Sequence, residues 1–348
     1  MATPKRLLEL DALRGIAAIL VVLFHCTMYR SEADYGFKLG VTGVDLFFMI
    51  SGFVILLTLS KTDNWKSFAI NRFSRLFPTY WTCVTFTTIL IVFYNNYSGI
   101  SSSLLMWQYV TNMTMFQQYF RMQDIDGPYW TMIIEMLFYL FMLLIFISKN
   151  LKNIEIIGAI LLAPILFYST SYFEKHFSFT DYRLGHWVPL INHFPLFLAG
   201  MVFYKIKSDK PSLIRYLLIA GCFIVQLMLF NAGGRSNGFI SLQQYSIMLL
   251  IYFLLFILYM RNRLSFIVNR YTLFLGNISF SLYLIHQYIS VTIIIPWLSE
   301  YLKCNFLIAV IADLVIILSL AFLITKFVEK PAMSYIRKKY RERNLLKE

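Results

Sequence analysis

The sequence predicts an all-α fold: a polytopic membrane bundle of about ten transmembrane helices with both termini cytoplasmic. Three observations carry this. The 348 residues are 59% hydrophobic and 18% aromatic but only 14% charged, far from the balance of a soluble domain. Apolar runs near the roughly 20 residues that cross a bilayer recur about ten times. Roughly three quarters of the 31 Lys and Arg fall in the N-terminus, every second loop and the C-terminal tail, the asymmetry that keeps loops cytoplasmic.

The elements follow in order. The first expected span, 12–29, belongs to the stretch LDALRGIAAILVVLFHC, which is too long for a signal-peptide core and has no small-residue cleavage site, so it is expected to stay in the membrane. Further spans are expected at 41–60, 77–94, 128–148, 154–172, 189–206, 212–230, 240–260, 272–296 and 306–327. The segment Ser103 to Phe120 alternates aromatic and polar residues and is expected at the interface. No repeat, linker or soluble module interrupts the chain. It reads as one integral membrane domain, 1–348, with a basic cytoplasmic tail over about 329–348.

Composition also excludes. The net charge of +13 sits in short loops beside apolar spans, so nucleic acid is not an expected partner; membrane lipid is. Cys26, Cys83, Cys222 and Cys304 show no metal-ligand or disulfide spacing and read as packing residues, so no metal is expected.

Ionisable residues inside spans are costly and mark function by default. Arg14 and His25 are eleven residues apart. On a helix that is about 16 Å of rise and within about 20° of a whole number of turns, so both face one way. Asp45, in GVDLFFMISGFVI, and Glu135, in PYWTMIIEMLFY, are expected about 6 Å and 10 Å below the outer surface, which puts one imidazole and two carboxylates in one layer. His286, with Tyr283 in SFSLYLIH, would border the same cavity or form a packing pair. Tyr129 and Trp130 at a span entrance read as interfacial anchors or sugar-stacking platforms. Arg72 and Arg75, three apart, share a face if their segment is helical; they either fix topology or, with Arg14, bind phosphate.

These residues together resemble the acyltransferase 3 family of integral membrane acyltransferases. The likeness covers nearly the whole chain, from LDALRGIAAILVVLFH through GVDLFFMISGFVI, FAINRFSRLFPTYW, YWTMIIEMLFY, FPLFLAG and SFSLYLIH to EKPAM. The family's arginine and histidine separated by ten residues match Arg14 and His25, its Arg-x-x-Arg pair matches Arg72 and Arg75, and its Trp-Ser-x-x-x-Glu motif matches Trp130 to Glu135, with Thr131 in place of serine. Many relatives carry an additional extracytoplasmic hydrolase-like domain, and none is expected here.

The resemblance implies transfer of an acetyl or similar group from cytoplasmic acyl-CoA to a sugar hydroxyl, in a surface polysaccharide, lipopolysaccharide or lipid-linked glycan of a bacterial inner membrane. His25 would be the general base, and Glu135 or Asp45 would orient it or stabilise its imidazolium. Arg14, Arg72 and Arg75 would hold the donor phosphates. Trp130, Tyr129, His286 and Tyr283 are the acceptor-binding candidates, and glycan-assembly proteins the expected neighbours. An acyl-cysteine on Cys26 is disfavoured because helix neighbours point about 100° apart. The rival classes are a proton-coupled transporter or flippase, which would use the same ionisable cavity but normally shows repeats, and a structural subunit of a glycan-assembly complex.

Overall fold

In the computed structural model the described residues are 7–62, 64–98, 103–170, 184–231 and 235–345. Among them there is no strand. The principal helices are α1 (Leu8–Thr27), α2 (Gly43–Leu59), α3 (Trp65–Ser98), α4 (Leu105–Asn112), α5 (Trp130–Ile147), α6 (Ile154–Tyr168), α7 (Phe194–Ser208), α8 (Leu213–Met228), α9 (Leu242–Met260), α10 (Arg270–Tyr288), α11 (Phe306–Ile324) and α12 (Lys330–Leu345).

Among the described residues eight helical stretches are long and apolar enough to cross a membrane, fewer than the ten spans expected. The difference lies at the sixth and seventh. α7 has 15 residues and α8 has 16; at 1.5 Å per residue these run about 22–24 Å, short of the roughly 30 Å hydrocarbon core. The 103–120 segment forms α4 and a 3-10 turn, Gln117–Phe120, neither long enough to cross. In contrast α3 starts at Trp65, well before the expected span, and continues helically past Pro78. α10 runs on through π-helical turns to Tyr301, and α11 passes through a π-helical stretch, Thr325–Glu329, straight into α12.

The chain divides into two compact units, one of Met1–Asp63 with Ile134–Gly276, the other of Asn64–Ile133 with Asn277–Glu348. In the first, α2 and α7 touch backbone to backbone. A Cβ on Gly52 would run into the Phe197 carbonyl, and one on Gly200 into the Met49 carbonyl, so only glycine permits this approach. At the end of α7, Arg215 bridges Glu155 through Nε and Nη2 at 2.6 and 2.9 Å and also reaches Asp209, which ties α6 to the α7–α8 turn.

The second unit centres on α3. The Trp81 indole donates to the Met113 carbonyl at 2.8 Å and anchors the segment after α4. On α10, Ser281 meets Thr325 Oγ1 at 2.9 Å and donates to Glu329 at 3.1 Å, filling the polar demand of the π-helical stretch from a neighbouring helix.

Candidate active site

Arg14 and His25 lie on one unbroken helix, α1, as their spacing requires. His25 Nδ1 is 2.9 Å from the Val21 carbonyl oxygen. A carbonyl only accepts, so in the neutral ring Nδ1 carries the hydrogen and Nε2 carries the lone pair. The Phe24 ring stands edge-on at 4.8 Å and limits ring rotation. A peptide carbonyl therefore orients this imidazole, in the place expected for Glu135 or Asp45.

The two carboxylates sit elsewhere. Before α2 begins, the chain passes down α1 as a 3-10 helix, Phe37–Thr42. Gly40 then packs against Leu20 and Phe24, and Gly43 against Ala17 and Val21. That register runs antiparallel, so Asp45 lies level with the Ala17 turn, about 12 Å below His25 along the axis. Glu135 accepts from Ser51, six residues further along α2, at 3.3 Å, which brings it nearer the depth of Arg14 than of His25. The expected single layer of one imidazole and two carboxylates is corrected accordingly: neither carboxylate hydrogen-bonds the His25 ring.

Each carboxylate has its own setting. Glu135 is held by the Tyr139 hydroxyl as well as Ser51. Asp45, 5% exposed, faces His193 at 3.9 Å and lies beside the Tyr245 hydroxyl, which accepts from Gln226 at 3.1 Å; Gln226 also donates to the Asn192 carbonyl. His193 packs its ring on Phe48 at 4.9 Å. Four segments thus bury one polar network. Sequence reasoning missed His193, Tyr245 and Gln226; the one available signal was the polar pair Asn192–His193 placed directly before the FPLFLAG motif.

The remaining candidates belong to the second unit. Arg72 and Arg75 are helical, on the first turns of α3, and Arg72 lies over the Phe68 ring at 5.6 Å. Thr131 meets the Tyr283 hydroxyl at 3.0 Å and donates to the Pro128 carbonyl at 3.0 Å. Tyr283 also lies beside the His286 ring, with centroids 6.0 Å apart. His286 is fully buried, and its Nδ1 is 2.9 Å from the Tyr283 carbonyl, the same tautomer-fixing arrangement as at His25. Tyr129 is also fully buried, its ring against Tyr80 at 5.0 Å, so it packs between helices and presents no open face for a sugar. Trp130 is half-buried at the start of α5. Just ahead of α5, Asp126 caps the π-helical end of α10 by accepting the Tyr288 amide at 3.0 Å; burial pushes its carboxyl up to about 8. Among the described residues no group of three His, Cys, Asp or Glu side chains is arranged to hold a metal ion.

Known proteins place this arrangement. A protein of Acidianus two-tailed virus that carries a provisional acetyltransferase name is 23% identical over 288 residues, 79% of this chain and 80% of its own. A provisionally named O-acetyltransferase of Staphylococcus aureus strain COL is 25% identical over 316 residues, 80% of this chain and 49% of that protein, so the chain spans about half the length of that relative. The peptidoglycan O-acetyltransferase OatA of Listeria monocytogenes serovar 1/2a is 30% identical over 165 residues, 42% of this chain and 25% of that protein. No solved structure matches. The family described as an acyltransferase domain matches residues 7–326, which takes in α1 with Arg14 and His25 and every other site residue named above. The chain therefore belongs to the acyltransferase 3 family and is an integral membrane acyltransferase.

Proposed function

We propose that the protein is an O-acetyltransferase of a bacterial inner membrane that takes its acetyl group from cytoplasmic acetyl-CoA. The acceptor is a hydroxyl of a sugar in a surface polysaccharide, lipopolysaccharide or lipid-linked glycan, met in the presence of membrane lipid and glycan-assembly proteins. One observation carries the reading: the Val21 carbonyl holds His25 Nδ1–H, so the basic nitrogen is Nε2.

The acceptor oxygen attacks the thioester carbonyl carbon, the new C–O bond forming as the C–S bond breaks. Nε2 takes the hydroxyl proton and returns it to the departing thiolate, so CoA leaves as the thiol and no metal is needed. Arg14, Arg72 and Arg75 bind donor phosphates with planar guanidinium forks. Glu135 and Asp45 act at a distance, their negative potential favouring the transient imidazolium. Trp130, half-buried at the start of α5, is the ring that stacks on the acceptor sugar, while Thr131, Tyr283 and His286 lie buried and act as positioning residues that hold α5 against α10.

The test is reconstitution. Full-length protein in lipid nanodiscs, given acetyl-CoA and lipid-linked glycan, should release free thiol and yield a glycan carrying an added acetyl group by mass spectrometry. Thiol release that does not depend on the protein, with no acetylated product, sinks the proposal.

A further inference from the structure

The donor reading rests on Arg72 and Arg75, yet a third guanidinium is built in beside them. Arg337 of α12 donates from Nε to Ser74 Oγ at 3.1 Å and from Nη2 to the Asn71 carbonyl at 3.3 Å. Asn71 and Ser74 alternate along α3 with Arg72 and Arg75, so the Arg337 side chain is inserted at the same helical turn. Arg341 follows four residues later, on the same face of α12. Arg72, Arg75 and Arg341 all stand near enough for their charges to repel that of Arg337.

Such crowding costs free energy unless something negative lies among the cations. The acid of this part of α12, Glu342, is spent on Lys338 at 3.8 Å. Among the described residues no carboxylate comes within ion-pair distance of Arg75, Arg337 or Arg341. Basic loops that only set topology spread their charges into water; here a half-buried guanidinium is hydrogen-bonded into position beside its like-charged neighbours. The guanidinium forks of Arg75, Arg337 and Arg341, with Arg72 beside them, suit the roughly four negative charges that a 3′-phosphate and a pyrophosphate carry together near neutral pH.

We propose that Arg337 and Arg341 of α12 complete, with Arg72 and Arg75 of α3, a phosphate site that grips the nucleotide end of the acyl donor. The site makes the C-terminal helix part of donor recognition: bound phosphate clamps α12 to α3 by neutralising the charges that push them apart. This rests on the acyl-CoA reading above, although the phosphate chemistry alone would also suit an anionic lipid headgroup, and the experiment separates the two.

Full-length protein in zwitterionic nanodiscs is titrated with CoA, with 3′-dephospho-CoA and with inorganic pyrophosphate; a parallel series uses nanodiscs containing phosphatidylglycerol. Arg341→Gln is expected to weaken CoA binding about tenfold, the loss of one charge-assisted contact, and Arg337→Gln at least as much. Because Arg337 also holds α12 to α3, Arg341, exposed and without such a bond, is the decisive position. Wild-type CoA affinity in both variants overturns the proposal. So does a result in which the variants lose only phosphatidylglycerol association, which would assign the cluster to lipid. If the wild type binds pyrophosphate but not CoA, and both variants weaken pyrophosphate, the phosphate site stands and the donor reading fails.

Discussion

Replacing His25 with asparagine separates the two things its ring does. The asparagine amide nitrogen can take the place of Nδ1 and donate to the Val21 carbonyl, the 2.9 Å bond made now by the histidine. The cost to folding is then below about 1 kcal/mol, the net worth of one such hydrogen bond. Nothing replaces Nε2. Loss of a positioned general base lowers turnover by roughly 10²- to 10⁴-fold, equivalent to about 2.7–5.5 kcal/mol of barrier. The two magnitudes are far enough apart to be told apart in one preparation: kcat from thiol release in nanodiscs, and the melting temperature from intrinsic fluorescence. His25→Asn should melt close to wild type and turn over at a hundredth of its rate or less. A variant that melts normally and keeps more than about a tenth of wild-type kcat refutes the assignment, because a histidine that only packs against Phe24 and Val21 predicts that outcome.

Two further outcomes are expected. Arg14→Ala should raise KM for acetyl-CoA by roughly tenfold or more while leaving kcat within a few-fold, the signature of lost donor binding; an equal loss in kcat with unchanged KM would move Arg14 from binding to chemistry. Asp126 ties pH to stability. Its carboxyl titrates near 8 when folded, because of burial, against an ordinary value of 3.8, so the folded form holds a proton that the unfolded chain releases. Its contribution is full below about pH 4, declines between about 4 and 8, and levels off above, so the melting temperature should fall across that window, and Asp126→Asn, which keeps an acceptor for the Tyr288 amide, should flatten that part of the slope. An identical slope in the variant refutes it.

The helical character, the membrane setting and the Arg14–His25 face were legible in the sequence because they depend on composition and on periodicity within one helix. The depth of Asp45 was not. Counting from the start of its apolar run assumes that a helix begins at the surface, whereas the chain first descends α1 as a 3-10 helix packed on Leu20 and Phe24. The partners of Asp45 were equally hidden. His193, Tyr245 and Gln226 come from three other segments, and the α2–α7 backbone contact at Gly52 and Gly200 sets the register of His193 against Asp45. That Arg72 and Arg75 share a face was conditional on a helix there, and α3, helical from Trp65, meets that condition. Arg337 looked like one more charge in a basic tail, since nothing in its neighbours reveals that α12 packs against α3.

The unbroken rod formed by α11, the π-helical stretch and α12 has a mechanical consequence. Phe306–Asn344 is 39 residues, about 58 Å of helix, nearly twice the thickness of a hydrocarbon core. From Lys326 to Arg341 the rod extends about 22 Å. A tilt of about 10° at its membrane end would swing Arg341 sideways by about 4 Å, more than the length of a hydrogen bond. A change in bilayer thickness that is accommodated by tilting this rod thereby acts on the guanidinium cluster as a load acts on a lever arm.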